Sequence, residues 1–208
     1  MRRLRRPRSL AELGIADPDS NGRAAVPRPA EATAARSRER VLPSQVRILG
    51  LDPGSLRTGY AVVESNAGHV AYVVSGTIRT EGTSLTERLQ EIFIAVERLT
   101  QDFRPDEVAI EGVFMHRNPD SALKLGQARG AALSATFSAR PRVFEYAPRA
   151  VKLAVVGTGS AQKDQVQLMV KRLLNISGPL GADAADALAI ALCHAHSRKV
   201  HSLLGRAR

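Results

Sequence analysis

The stretch from Ile48 to Glu64, ILGLDPGSLRTGYAVVE, places one acid, Asp52, where an apolar run gives way to a glycine loop. Residues 46 to 51 read as a strand, and residues 59 to 64 beyond the loop read as a second. A carboxylate between them is costly, because its charged form loses hydration that the protein must replace. Either the loop backbone satisfies Asp52, as in an Asx turn, or something positively charged does.

Working outward, HVAYVVSGTI from His69 is a third strand, joined to the second by the hairpin loop SNAG. SLTERLQ then opens a helix with a capping box, Ser84 with Glu87, and Leu85, Leu89, Ile92, Val96 and Leu99 recur at helical spacing. PDEVAIEG is a fourth strand ending on Glu111. NPDSALKLGQARGAALSATFSA is a helix with Asn118 as N-cap and Pro119 at its first position, and RVFEY is a short fifth strand. Helices are expected near 147 to 155, 163 to 174 and 182 to 197. Three hairpin-connected strands followed by alternation give an α/β fold, a five-stranded mixed sheet flanked by helices. This is the order of a ribonuclease-H-like fold.

In that order the first and fourth strands are central neighbours, so Asp52 and Glu111 end side by side. GADAADALAIAL supplies two more acids, Asp183 and Asp186, three apart and therefore on one helix face. A helix start favours negative charge but cannot neutralise four carboxylates. A divalent cation can. Hard oxygen ligands suit Mg²⁺ or Mn²⁺, and two ions about 3.5–4 Å apart would clamp the attacking and leaving oxygens of a phosphodiester hydrolysis. Singly, each acid has a bland explanation in a turn, a strand end, a helix cap or a surface position. Together they point to a metal site.

Four blocks, GLDPGSLRTGY, AIEGVFMHRNPDSALKLGQARG, VFEYAPRAVKLAVVGTGSAQKDQVQLMV and ADAADALAIALCH, resemble the RuvC family of Holliday-junction resolvases over about 47 to 197. The resemblance implies a homodimer of ribonuclease-H-like subunits that binds a four-way DNA junction and cuts opposite strands symmetrically with Mg²⁺. It carries the catalytic and metal-binding roles onto Asp52, Glu111, Asp183 and Asp186. DNA contacts are implied for Lys152 and Lys163, near the scissile phosphate, and for Phe114, whose ring would stack on an unpaired base. The resemblance also admits a RuvAB-type branch-migration complex as a partner. Gly112 departs from the family pattern, and a looser loop after Glu111 is the expected consequence. By themselves the acids also fit a ribonuclease-H-like nuclease acting on structured RNA. A noncatalytic junction-binding protein and an actin-like ATPase are further alternatives, disfavoured by four intact acids.

The chain has 208 residues and a net charge of +10, with ten Lys or Arg against five Asp or Glu in residues 1 to 45. That balance suggests a polyanionic partner, most simply nucleic acid. Residues 1 to 45 lack periodicity and an apolar signal core, so a disordered basic extension is expected, then a nuclease domain over 46–197 and a basic tail over 198–208. One cysteine, Cys193, excludes an internal disulfide and fits a reducing, cytoplasmic setting. GTGSAQK, at 157–163, lacks the residues of a phosphate-binding P-loop, and His194 and His196 lack a second Cys/His pair for zinc. Gly126 and Gly130, four apart on one helix, allow close helix approach, either at a dimer seam or against the sheet.

Overall fold

The computed structural model describes residues 45–66, 68–112 and 118–206, with side chains described as far as Arg198. The chain divides into two units, Met1–Arg40 and Val41–Arg208, and the described residues lie in the second. The expected 1–45 extension and Phe114 therefore fall outside the described residues, apart from Gln45, which opens the first strand.

The elements run β1 (Gln45–Asp52), β2 (Arg57–Asn66), β3 (His69–Arg79), α1 (Leu85–Phe103), β4 (Glu107–Glu111), α2 (Pro119–Thr136), β5 (Arg142–Tyr146), α3 (Pro148–Val156), α4 (Lys163–Leu173) and α5 (Ala182–Arg206). They form one five-stranded sheet in the order β3-β2-β1-β4-β5. β1 is antiparallel to β2 and parallel to β4, and β4 is parallel to β5. This is the ribonuclease-H-like mixed sheet expected from element order.

Both faces of the central strands are covered, so β1 and β4 read as continuous apolar runs while alternating strictly in direction. Leu49, Leu51, Val108 and Ile110 face α1 and α2. Val46, Ile48 and Ala109 face α3, α4 and α5. By the same period of two, Asp52 and Glu111 fall on the α5 side of the sheet.

The helix starts expected from sequence are present. Ser84 accepts from the Glu87 amide at 3.2 Å while Glu87 accepts from the Ser84 amide at 3.0 Å. Asn118 accepts from Asp120 and Ser121 ahead of Pro119. One boundary is corrected: α5 does not stop at 197 but continues through Arg206. Arg198 opens no solvated tail, being only 8% exposed and ion-paired with Glu107 beneath the helix. No described helix is long and apolar enough to cross a membrane.

Candidate active site

Asp52 ends β1 and Glu111 ends β4, and the pairing of Leu51 with Ile110 sets their side chains next to each other on one edge. α5 begins over the same edge and carries Asp183 in its first turn, with Asp186 three residues on. Two glycines bring it there. A Cβ at Gly59 in β2 would overlap the carbonyl oxygen of Asp183, and one at Gly50 in β1 would overlap that of Ala187. The helix backbone therefore lies directly on the strands, and its acids reach the level of Asp52.

The four acids share one electrostatic field. Burial pushes the Asp52 carboxyl up to about 7, helped by Asp186, Glu111 and Asp183 and opposed by Lys163. Burial also raises Glu111, again with Asp186, against Lys163 and Lys152. Lys163, at the start of α4, lies 3.3 Å from Asp186, and that charge raises its own pKa. Asp52 accepts no hydrogen bond among the described residues, so no Asx turn satisfies it. Instead the loop beyond it is closed by threonines. Buried Thr58 donates to the Gly54 carbonyl at 3.0 Å, and Thr80 donates to the Ser55 carbonyl at 3.0 Å.

Among the described residues, no three His, Cys, Asp or Glu side chains are gathered closely enough to form a ready-made metal cage. The donor set nevertheless fits a hard divalent cation. Four carboxylates face two ammonium groups, and burial, followed by the charge of the neighbouring acids, holds the pKa values of Asp52 and Glu111 above their usual range.

Of the residues singled out in the sequence, Asp52, Glu111, Asp183, Asp186, Lys152 and Lys163 come to this edge. Away from this edge, Lys124 on α2 pairs with Asp120 of its own helix at 2.6 Å. Gly112 donates to the Tyr146 carbonyl at 2.9 Å, and the loop after it, 113–117, lies outside the described residues. His194 and Cys193 form no metal cluster: Cys193 is buried, with its thiol pushed up to about 11 by desolvation, and His194 Nε2 lies 2.7 Å from Glu107.

Sequence reasoning missed the network around Glu107. This fully buried carboxylate on β4 meets His194, Arg198 and Arg142. Burial opposes its ionisation, but His194, Arg198 and Arg142 outweigh that and hold its pKa below the usual value. Burial drives the Tyr146 hydroxyl up to about 12, and it lies 2.6 Å from His194 Nδ1. Glu107, held ionised, accepts from His194 Nε2 at 2.7 Å. The chain of bonds ties α5 to β4 and β5 below the acids. Its only signal in the sequence was an acid at the head of the apolar run Val108 to Ile110.

Sheet order and an acid-lined edge at the ends of the central strands define the class, a ribonuclease-H-like α/β protein with a carboxylate site. The family model described as crossover junction endodeoxyribonuclease RuvC matches residues 48–194, and the chain belongs to the RuvC family. It is 55% identical over 152 residues to crossover junction endodeoxyribonuclease RuvC of Tolumonas auensis, covering 73% of this chain and 88% of that one. With the Methylococcus capsulatus enzyme of the same name it shares 53% over 160 residues, 77% of this chain and 96% of the relative. Among solved structures, Thermus thermophilus RuvC in complex with Holliday junction substrate superposes with a TM-score of 0.70 at 36% identity, covering 76% of this chain and 97% of that chain. The yeast mitochondrial Holliday junction resolvase Ydc2, at 13% identity and a TM-score of 0.57 over 81% of this chain and 88% of that one, shares the fold.

Proposed function

We propose that the protein is a structure-specific endonuclease that resolves four-way DNA junctions in recombination and repair, by symmetric, metal-dependent phosphodiester hydrolysis. The observation that carries this reading is the common field of Asp52, Glu111, Asp183 and Asp186 beside two lysines, in a chain of the RuvC family. Asp52, Glu111, Asp183 and Asp186 would hold Mg²⁺ or Mn²⁺, two ions per site. When bound, the ions supply Lewis acidity to the phosphodiester and a water of lowered pKa. The protein's own part is positional. Gly50 and Gly59 set α5 at the height of the strand ends, Lys163 braces Asp186, and Lys152 and Lys163 offer cations to phosphates flanking the cut. Phe114 would stack on a base at the crossover.

A homodimer supports symmetric cutting. Leu123, Gly126 and Gly130 lie at helical spacing along an exposed face of α2, with exposed Phe137 just past its end, and added Cβ atoms at the two glycines would meet nothing within 4 Å among the described residues. Packing on the sheet therefore does not account for these glycines, which favours the dimer seam. The reading also places the protein in the cytoplasm.

The test is incubation of purified protein with a mobile four-way junction and with linear duplex, with and without Mg²⁺, beside Asp52→Asn, Glu111→Gln, Asp183→Asn and Asp186→Asn. Paired nicks on the junction alone, only with Mg²⁺ and lost in each variant while junction binding persists, are expected. A variant that cuts at the parent rate would remove that residue from the site. Equal cutting of duplex or of structured RNA would overturn the junction assignment.

A further inference from the structure

Asp52, Gly59 and Thr77 form one row across three strands, since Asp52 pairs with Gly59 and Gly59 pairs with Thr77. The middle position has no side chain, and the Asp183 carbonyl occupies the space a Cβ would need. The first turn of α5 is thus seated on the sheet between Asp52 and the edge strand β3. From that strand, Thr77 Oγ1 donates to Asp183 Oδ2 at 3.3 Å. Asp183 Oδ1 accepts no hydrogen bond among the described residues.

A carboxylate in the first turn of a helix is drawn toward the free amides of its own turn. A hydroxyl fixed on a neighbouring strand competes with that collapse. We propose that Thr77 is a positioning residue for strand cleavage, holding Asp183 in the rotamer that commits one carboxylate oxygen to the protein and leaves the other for a divalent cation. Lys163 holds Asp186 one turn further along in a comparable way, by its contact with Oδ2 at 3.3 Å. The edge strand therefore contributes to the site although it carries none of the acids. Its neighbouring Thr80 also ties the loop beyond Asp52. The proposal rests on Asp183 being a metal ligand.

Thr77→Val keeps the shape, removes the donor and suits a strand, so a merely structural role for the bond would lower the melting temperature and leave metal dependence unchanged. Thr77→Ser keeps the donor. Mn²⁺ binding to the DNA-free protein is measured by titration calorimetry, alongside junction affinity in Ca²⁺ and the Mg²⁺ dependence of single-turnover cutting. For Thr77→Val, Mn²⁺ affinity should fall about ten-fold and the Mg²⁺ needed for half-maximal cutting should rise by a similar factor. Junction affinity and melting temperature should stay at parent values, and Thr77→Ser should lie within about two-fold of the parent. A valine variant that binds Mn²⁺ and cuts like the parent would overturn the proposal, as would a serine variant as impaired as the valine one. If Asp183→Asn itself binds Mn²⁺ at full strength, the ligand role of Asp183 fails first and the role of Thr77 falls with it.

Discussion

Asp52 carries the clearest pH signature in the molecule. Its carboxyl titrates near 7 when folded, against 3.8 in an unconstrained chain, chiefly through burial and then through Asp186, Glu111 and Asp183. Between those values the folded protein holds a proton that the unfolded chain has released. Stability therefore falls as pH rises through that window, and the loss is complete above about 7. In divalent-free buffer Asp52→Asn should melt higher than the parent at about pH 8 and coincide with it near pH 4, in thermal scans across that range. A variant that gains nothing at the higher pH would show that neither burial nor the neighbouring acids disfavour the Asp52 carboxylate. Phe114, in the loop after Glu111, is expected to act on DNA shape. Phe114→Ala should cost about 1–3 kcal/mol of stacking, roughly five- to a hundred-fold in cutting of intact junctions. The loss should shrink on junctions whose crossover bases are already unpaired, and Phe114→Tyr should recover most of it. Ala and Tyr variants of equal activity on an intact junction would mark Phe114 as a packing residue.

At the scale of elements, the site depends on how α5 is seated and how it is tied. Gly59→Ala would drive a methyl into the Asp183 carbonyl and lift the first turn from the sheet. Overpacking of this kind costs about 1–3 kcal/mol, and cutting should be lost while junction binding remains, as read by urea titration and junction shift assays. The lower half of the helix is held by Glu107. Removing that carboxylate takes from His194, Arg142 and Arg198 the acceptor they share at a fully buried position. Glu107→Ala should lower unfolding free energy by about 3–5 kcal/mol in urea, far beyond an exposed pair such as Lys124 with Asp120. A loss under about 1 kcal/mol would mean that the network is solvated in solution.

Over the whole molecule, basic charge is split between a segment outside the family match and the matched domain. The family model begins at residue 48, and residues 1 to 45 carry ten Lys or Arg against five Asp or Glu. Deleting those residues should leave junction cutting intact while weakening linear duplex binding and flattening its salt dependence, because fewer counterions are released. Fluorescence anisotropy over a salt series checks this, and an unchanged slope would mean that the segment does not touch DNA.

What the sequence determined by itself was whatever a few neighbouring residues encode. Apolar runs bounded by loop residues marked the strands, the spacing of Ile92 and Val96 marked α1, Ser84 and Asn118 marked the helix starts, and two acids three apart marked one helix face. Those signals sufficed for the sheet order and for the proximity of the four acids, because β1 and β4 must be neighbours in any ribonuclease-H-like order. What remained was decided by contacts between residues far apart in the chain. Thr77 and Asp183 are 106 residues apart, and Glu107 and His194 are 87 apart. Gly50 and Gly59 look like ordinary strand glycines until a helix backbone lies on them. Arg198 looks like the start of a basic tail until Glu107 takes its charge under the sheet. Such roles are set by register and helix height, which exist only once the layers have packed, so no local pattern could announce them.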